Sequence, residues 1–421
     1  MKKRIAFFGP LNPIRSGISD YNEELLSLLN KDYEIDVFTG SNMERANVYH
    51  HGEFYLRNKH LPYDLPIYQM GNALLHEYMY EAVFQNPGAV VFHDYCLHHS
   101  RAKMLLLKAL YEEYADEAKA NYPEQPDLWK MLYGGVCGDL LLYYFPFVKL
   151  LLQSALVVGA HTNYTVEQLR NAEQTPVIKI PMAVLNEPPV ESADLYPGKC
   201  VIASFGLVTR EKRIEPVLEA LAELRWYYPN LVYVIAGEVA AHYDLQSQID
   251  RFNLKGIVKI TGYLDRAAFH QYLSRADVVV NLRYPSAREM SATLLRALAY
   301  GKPVLMSRLQ HLMEIPETAA IRIRPDHELE DVFHHLWQLI ENGSLRKRKG
   351  EAAAKFIREN HSPEQMRNSY RELIETAIAR KESFQSPELP LHLRSSREIM
   401  RDYVRKSVFK GIDSSLLEWI V

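Results

Sequence analysis

Residues 286–316 read SAREMSATLLRALAYGKPVLMSRLQHLMEIP, and this stretch decides how the second half of the chain folds. The apolar residues within 294–299 recur at about 3.6-residue spacing, which predicts a helix, and Ser291 stands where an N-cap residue belongs. Gly301 ends that helix, and Val304–Ser307 follows as a short apolar run typical of a buried strand. A helix that leads directly into a buried strand is typical of parallel α/β folds.

The same helix start has the features of an anion site. The first turn of a helix presents N–H groups that have no intrahelical acceptor, and the helix dipole is positive at that end. The amides of Ala292, Thr293 and Leu294 can therefore hold a phosphate without a basic side chain. Glu289 would then lie beside whatever group carries the phosphate. The alternative is an ordinary capped helix that packs on a sheet.

Composition describes an ordinary globular chain of 421 residues, 48% hydrophobic and 24% charged, which predicts two to three domains with substantial cores. A net charge of −3 argues against a nucleic-acid partner. Cys96, Cys137 and Cys200 are widely spaced and give neither a disulfide framework nor a metal-ligand pattern. With no signal peptide, the sequence indicates a reducing cytoplasm.

Each half opens with a strand and a glycine turn and then alternates strands with helices, which predicts two Rossmann-like α/β domains with parallel sheets. The expected strands are Arg4–Gly9, Ile35–Phe38, Val90–Phe92, Ala155–Val158 and Val177–Ile180, then Val201–Phe205, Val232–Ala236, Val258–Ile260, Asp277–Leu282, Val304–Ser307 and Ile321–Ile323. Proline-rich Asn186–Gly198 is the predicted hinge, so the domains span residues 1–190 and 191–365. A helical extension, 366–421, is expected to pack on the first domain or on another subunit.

The longest apolar stretch, Leu140–Ala160, is interrupted by Pro146 and Lys149, which a membrane span tolerates poorly. We interpret it as a buried helix that leads into a strand. The alternative is an amphipathic surface helix that docks on lipid, as would suit a lipid-linked acceptor.

Open parallel sheets bind ligands beyond the carboxyl ends of their strands, so the loops there are the candidate sites. Pro10–Asp20 follows the first strand and leads to a helix expected to be capped around Asp20 and Glu23. Phe205–Arg213 (FGLVTREKR) follows the first strand of the second half. Lys212 in that loop could hold a diphosphate as a point charge, and the alternative is a solvated lysine.

Histidines are dense after the strand Val90–Phe92, in the sequence HDYCLHH from His93 to His99. A metal site is one interpretation, but adjacent His and Asp residues at a strand end rarely converge on one ion. We favour His93 as a polar contact in a cleft, with a buried, satisfied histidine as the alternative.

Several segments together resemble the GT-B glycosyltransferases of family 4, which are retaining, nucleotide-sugar-dependent enzymes. They are FFGPLNPIRSGISDYNEELL, YQMGNALLHEYMY, NPGAVVFHDYCLHHS, SFGLVTREKR and the 286–316 stretch. The resemblance runs over nearly all of residues 1–370. It implies two Rossmann-like domains whose parallel sheets face across an interdomain cleft, with the acceptor bound by the first and the nucleotide sugar by the second.

The resemblance also assigns roles to residues of this chain. It implies that Gly17 lies near the donor diphosphate and that His93 contacts the transferring sugar. Lys212 matches a phosphate-binding lysine, and Glu289 looks like the first acid of a paired-glutamate motif that binds sugar hydroxyls. The segment Ser291–Thr293, with Ala292 between, matches a phosphate-binding turn.

Two positions depart from the family pattern. The arginine that usually follows the glycine of the second-half turn is Leu207, so Arg210 replaces it or the charge is absent. The glutamate expected to hold the ribose is Arg296.

The implied activity is retaining transfer of a hexose from a nucleotide-diphosphate sugar to a hydroxyl of a glycan or lipid-linked acceptor, in cell-envelope polysaccharide assembly. No Asp-X-Asp occurs in the chain, which fits transfer without a metal or another cofactor. The implied location is cytoplasmic, with peripheral contact at the inner face of the membrane as an addition. The alternatives are a GT-B sugar-nucleotide epimerase, a phosphorylase, or a non-catalytic partner subunit.

Overall fold

The structure is a computed structural model that describes residues 2–135, 138–185 and 195–394. It divides into two compact units. The first contains residues 1–180, 287–289 and 367–421, and the second contains residues 181–286 and 290–366. Most of the predicted hinge, residues 186–194, and most of the final stretch, residues 395–421, lie outside the described part of the chain.

The described part of the first unit contains a seven-stranded parallel sheet with strand order β3-β2-β1-β4-β5-β6-β7. Its strands are β1 (Arg4–Phe8), β2 (Glu34–Thr39), β3 (Val48–His50), β4 (Leu65–Met70), β5 (Ala89–Phe92), β6 (Val157–Ala160) and β7 (Val177–Lys179). Its helices are α1 (Gly17–Leu29), α2 (Phe54–His60), α3 (Glu77–Gln85), α4 (His98–Leu107), α5 (Tyr111–Asn121), α6 (Leu128–Tyr133), α7 (Leu140–Tyr144), α8 (Lys149–Ser154) and α9 (Asn163–Ala172).

The second unit has a six-stranded parallel sheet of order β10-β9-β8-β11-β12-β13 among its described residues. The strands are β8 (Cys200–Phe205), β9 (Leu231–Ala236), β10 (Val258–Ile260), β11 (Val278–Asn281), β12 (Val304–Ser307) and β13 (Ile321–Ile323). The helices are α10 (Ile214–Leu224), α11 (Leu245–Arg251), α12 (Arg266–Arg275), α13 (Ala292–Ala299), α14 (Glu328–Glu341), α15 (Gly343–Asn360) and α16 (Pro363–Arg380), which continues into the first unit from Arg367.

Both sheets bury apolar side chains on their two faces, as parallel sheets covered by helices must. Phe8, Phe38 and Tyr68 stack within the core of the first unit. In the second unit the strand residue Tyr233 lies in one apolar cluster with Leu221 of α10. The predicted pair of parallel-sheet Rossmann-like domains is confirmed.

Two predictions within the first unit were wrong. The strands β3 and β4 were missed, although β4 lies between β1 and β5 at the centre of the sheet. The single buried helix expected within Leu140–Ala160 is two short helices, α7 and α8, because Pro146 cannot donate a helical amide hydrogen bond. Tyr144 of α7 is 72% exposed, and β6 begins at Val157 rather than Ala155.

The described part of the C-terminal extension, residues 367–394, belongs to the first unit. Arg367 of α16 binds the carboxylate of Asp32 through Nε at 2.8 Å and Nη2 at 2.6 Å. Further along, Arg380 Nη1 donates to the carbonyl of Leu156 at 2.5 Å. Within the described ranges, no helix has the length and apolar character needed to cross a bilayer.

Candidate functional site

The helix predicted from residues 286–316 is α13, and Ser291 is its N-cap, as expected. The Ser291 hydroxyl accepts a hydrogen bond from the amide of Leu294 at 3.3 Å. The amide of Leu294, one of the three predicted to bind an anion, therefore already has a hydrogen-bond partner in the cap. Those of Ala292 and Thr293 stand in the first turn, where an α-helix provides no intrahelical acceptor.

Side chains from the end of β11 organise this helix start. The Thr293 hydroxyl lies 3.0 Å from Ser291 Oγ and accepts a hydrogen bond from Asn281 Nδ2 at 3.1 Å. The Nη2 atom of Arg283 donates to Ser291 Oγ at 2.8 Å. Neither Asn281 nor Arg283 was predicted from the sequence, because their relation to α13 depends on how the loop after β11 folds.

Lys212 and the Gly206 turn lie at the same edge of the sheet, since β8 and β11 are neighbours. Gly206 has a φ of +98°, a conformation that favours glycine. The Nζ atom of Lys212 is 3.6 Å from the position that a Cβ on Gly206 would occupy. Lys212 and Asn281 line one small recess, and Asn281 in turn binds Thr293. The structure therefore brings Lys212 together with the start of α13.

Arg210 lies elsewhere. It lines a separate recess with Arg213 and Tyr243, outside the one that Lys212 lines. Arg213 has a φ of +51° and binds the buried carboxylate of Glu328 through Nε at 2.7 Å. That pair fixes the short turn before α10.

In the first unit, α1 begins at Gly17 rather than around Asp20 and Glu23. Ser16 is the N-cap, and its hydroxyl accepts from the amide of Ile18 at 3.2 Å. A Cβ added to Gly17 would meet no atom within 4 Å, so open space surrounds this position.

His93 lies at the end of β5 and is 6% exposed. Its Nε2 is 2.8 Å from Gln69 Oε1 on β4, and its Nδ1 is 3.2 Å from His161 Nε2 beyond β6. Burial holds the pKa of His93 well below its ordinary value, so the ring is neutral near pH 7. Gln69 also donates to the hydroxyl of Tyr370 at 3.1 Å. Both ring nitrogens of His93 therefore have partners within the first unit.

Glu289 belongs to the first unit together with Ala287 and Arg288, although its neighbours along the chain belong to the second. The carbonyl of Ala287 accepts from the amide of Cys96 at 3.0 Å. Arg288, with a φ of +62°, donates to the carbonyl of Tyr143 at 3.3 Å. Glu289 and Lys212 thus fall in different units.

The histidine-rich sequence after β5 is divided among separate contacts. Asp94 accepts from the amide of Asn72 at 2.6 Å, and His98 Nε2 lies 2.7 Å from the hydroxyl of Tyr114. Among the described residues, no group of three or more His, Cys, Asp or Glu side chains is arranged to hold a metal ion.

Comparison with known proteins shows what the second unit resembles. Residues 190–356 match the family described as glycosyl transferases group 1. A curated relative, alpha-D-kanosaminyltransferase of Streptomyces kanamyceticus, is 26% identical over 156 residues, which is 37% of this chain and 40% of that protein. The match to this relative thus spans less than half of its length.

Solved structures match nearly the whole chain. Sucrose-phosphate synthase from Thermosynechococcus elongatus has a TM-score of 0.64 at 15% identity, covering 90% of this chain and 100% of that one. HepE of Anabaena, solved in complex with UDP, has a TM-score of 0.61 at 15% identity, with coverages of 89% and 100%. WaaG, a glycosyltransferase involved in lipopolysaccharide biosynthesis, has a TM-score of 0.60 at 14% identity, with coverages of 91% and 100%.

At these identities the solved structures show the fold alone. Residues 190–356 therefore resemble the glycosyl transferases group 1 family, and the chain has two parallel-sheet Rossmann-like domains that match the fold of GT-B structures.

Proposed function

We propose that this protein is a glycosyltransferase that moves a hexose from a nucleotide-diphosphate sugar to a hydroxyl of a glycan or lipid-linked acceptor. The observation that carries the proposal is the grouping of Lys212, Asn281 and Thr293 at one edge of the second sheet. A cation and the N-terminus of a helix at one edge suit a diphosphate. HepE of Anabaena has been solved with UDP and with UDP-glucose, which supports a nucleotide-sugar donor here.

In the mechanism that we propose, the protein forms no covalent bond to the sugar and acts mainly by stabilising charge. The bond between the anomeric carbon and the diphosphate breaks as the acceptor oxygen bonds to the same face of that carbon, so configuration is retained. The acceptor proton leaves with the diphosphate. Lys212 and the first amides of α13 stabilise the negative charge that develops on the leaving group, and no metal ion is required. Gly17, His93 and Glu289 stay proposed donor contacts on the strength of the family resemblance.

Cell-envelope polysaccharide assembly in the cytoplasm is the setting that we propose, with peripheral membrane contact for a lipid-linked acceptor. Exposed apolar side chains on α6 and α7 support such a contact, Tyr133 at 59% and Tyr144 at 72%. Cosedimentation with vesicles containing anionic lipid tests it. Tyr133→Ser with Tyr144→Ser should reduce the bound fraction several-fold, and Tyr227→Ser on the second unit is the matched control.

The experiment that tests the activity is a screen of the full chain against UDP-, GDP- and ADP-sugars, with glycan and lipid-linked acceptors and without them. We expect one donor to be consumed, slowly by hydrolysis and faster when an acceptor is present. Isomerisation of the donor without an acceptor would indicate the epimerase instead, and a requirement for inorganic phosphate would indicate the phosphorylase. Failure to bind any of the donors in calorimetry would indicate a non-catalytic subunit.

A further inference from the structure

The donor site contains one cation fewer than the family pattern predicts. Among the described residues that line its recess, Lys212 is the only cation. Leu207 occupies the position of the usual arginine and is 56% exposed, and Arg210 lines a different recess. Because a nucleotide diphosphate carries more than one negative charge, a second cation at the same sheet edge would complement it.

Hydrogen bonds of both its backbone and its side chain hold Arg283 at that edge. Its backbone N–H donates to Ser307 Oγ at 2.8 Å, and Ser307 is a buried residue at the end of β12. Its side chain ends on Ser291, where Nη2 donates to the capping hydroxyl at 2.8 Å. The guanidinium is therefore placed at the start of α13 by the strands themselves.

A cation at this end of a helix has the wrong sign for the helix dipole. The dipole favours negative charge at this end, and a bound anion is attracted both by the guanidinium of Arg283 and by the first-turn amides of α13. The charges around Ser291 therefore favour an anionic ligand.

Asn281 gives an independent indication of a ligand. It is only 5% exposed and lines the recess of Lys212. Its Nδ2 binds Thr293, whereas its Oδ1 is buried without a hydrogen-bond partner among the described residues. A buried polar atom that is left unpaired destabilises the folded protein. The Thr293 hydroxyl can donate as well as accept, so the amide can turn and present its NH₂ group to the recess.

We propose that Arg283 and Asn281 bind the donor diphosphate, Arg283 as the second cation at the start of α13 and Asn281 as a donor of a hydrogen bond within the recess. This inference rests on the proposed function and deepens it, because it names residues of the same donor site. Arg283 would thus supply the positive charge that is missing at Leu207, the position of the usual arginine in the Gly206 turn.

Isothermal titration calorimetry of the full chain with UDP, GDP and ADP tests the inference, with the corresponding nucleosides as probes that lack phosphate. Charge-assisted hydrogen bonds contribute about 1.5–3 kcal/mol, so Arg283→Gln should weaken diphosphate binding by about 10- to 100-fold. Nucleoside binding should not change. Asn281→Leu should weaken diphosphate binding several-fold.

The matched control is Arg324→Gln. Arg324 follows β13 in the same sheet and binds Asp331 at 2.7 Å. This variant removes the same charge and should bind the diphosphate as the wild type does. Circular dichroism checks that each variant is folded. If Arg283→Gln does not fold, Arg283→Lys keeps the charge without the planar fork, and a several-fold loss is expected of it.

Diphosphate binding by Arg283→Gln or Arg283→Lys at the wild-type affinity would overturn the inference and leave the proposed function intact. An equal loss of nucleoside binding would also overturn it, because the effect would then be structural. A large loss in Arg210→Gln but not in Arg283→Gln would assign the charge to Arg210. If the wild type binds none of the diphosphates, the proposed function fails and this inference fails with it.

Discussion

The two units share one kind of parallel sheet but carry opposite chemistry at the ends of their strands. In the second unit, the loops after β8 and β11 bring Lys212 and Arg283 to a sheet edge where α13 begins. In the first unit, the ends of β4, β5 and β6 bring together three buried side chains that bind one another, namely Gln69, His93 and His161. The strand ends of the second sheet therefore carry positive charge, whereas those of the first sheet carry buried imidazoles.

Burial explains this difference. His93 is almost completely enclosed, and burial disfavours its charged form. Arg283, by contrast, is only partly buried. The fold therefore supplies the position of the strand ends, and the side chains found there determine whether that position suits an anion.

We expect the largest effect from lowering the pH, which should reduce the stability of the first unit. Burial lowers the pKa of His76 to about 4 and that of His98 to about 3, and it lowers the pKa of His93 well below the usual value. Each of these groups binds a proton near pH 6.5 in the unfolded chain, so their contribution is fully present above that pH and is lost below it. Each can remove about 1.4 kcal/mol per pH unit, so the first unit should lose several kcal/mol between pH 6.5 and 4.

Amide hydrogen exchange at several pH values, corrected for the intrinsic rates, measures this loss separately in peptides from β4 and β5. His98→Gln removes one titrating ring and should make the pH dependence shallower by about 1.4 kcal/mol per pH unit. Protection of β4 and β5 that stays constant down to pH 4 would contradict the prediction.

The next largest effect should be the loss of turnover in Lys212→Ala, a substitution in the second unit. Removing one preorganised group that stabilises transition-state charge costs about 10²–10³-fold in turnover. We expect that loss of kcat with the sugar donor identified in the screen, and an unchanged circular dichroism spectrum. The control is Lys255→Ala, since Lys255 is an exposed lysine of the second unit that binds Asp250 at 3.1 Å. Equal rates in the two variants would remove Lys212 from the site.

The sequence predicted those parts of the fold that depend on local patterns. The apolar run that ends at Ser307, Val304–Ser307, became a strand with the predicted ends, and so did Val258–Ile260, in which Lys259 separates two apolar residues. Ser291 was recognised because a capping residue and apolar periodicity follow each other along the chain. Strand β4 (LPIYQM) was missed because Pro66 and Gln69 interrupt its apolar character, although every residue of it is buried.

The sequence could not predict contacts that depend on distant strands. Asn281 and Arg283 reach the proposed donor site because β11 pairs with β8, whose residues lie far away in the chain. Gln69 orients His93 because β4 and β5 are neighbours, and β4 itself was not predicted. Local patterns therefore predicted an anion site near residue 292, whereas tertiary pairing decides which side chains lie around that position.

Ser291→Ala should have a smaller effect, which should lower both the stability of the second unit and its affinity for the diphosphate. It removes the cap of α13, which costs about 0.5–2 kcal/mol, and it removes the acceptor that holds the Arg283 side chain. Urea denaturation should show that loss, and calorimetry should show several-fold weaker UDP, GDP or ADP binding. Ser291→Thr keeps a hydroxyl and should restore most of both. If the alanine variant loses stability but binds as before, the cap serves the helix alone.

Tyr370→Phe should have the smallest effect, a loss of stability that is limited to the first unit. The buried hydroxyl of Tyr370 lies 2.8 Å from the hydroxyl of Tyr21 and accepts from Gln69, so its loss should cost about 1 kcal/mol. Exchange protection should fall in β4 and β5 while diphosphate affinity stays constant. The control is Tyr55→Phe, which alters a tyrosine that is 69% exposed. A loss of diphosphate affinity in Tyr370→Phe at unchanged protection would show instead that the extension acts on the donor site, and the separation of the two chemistries would not hold.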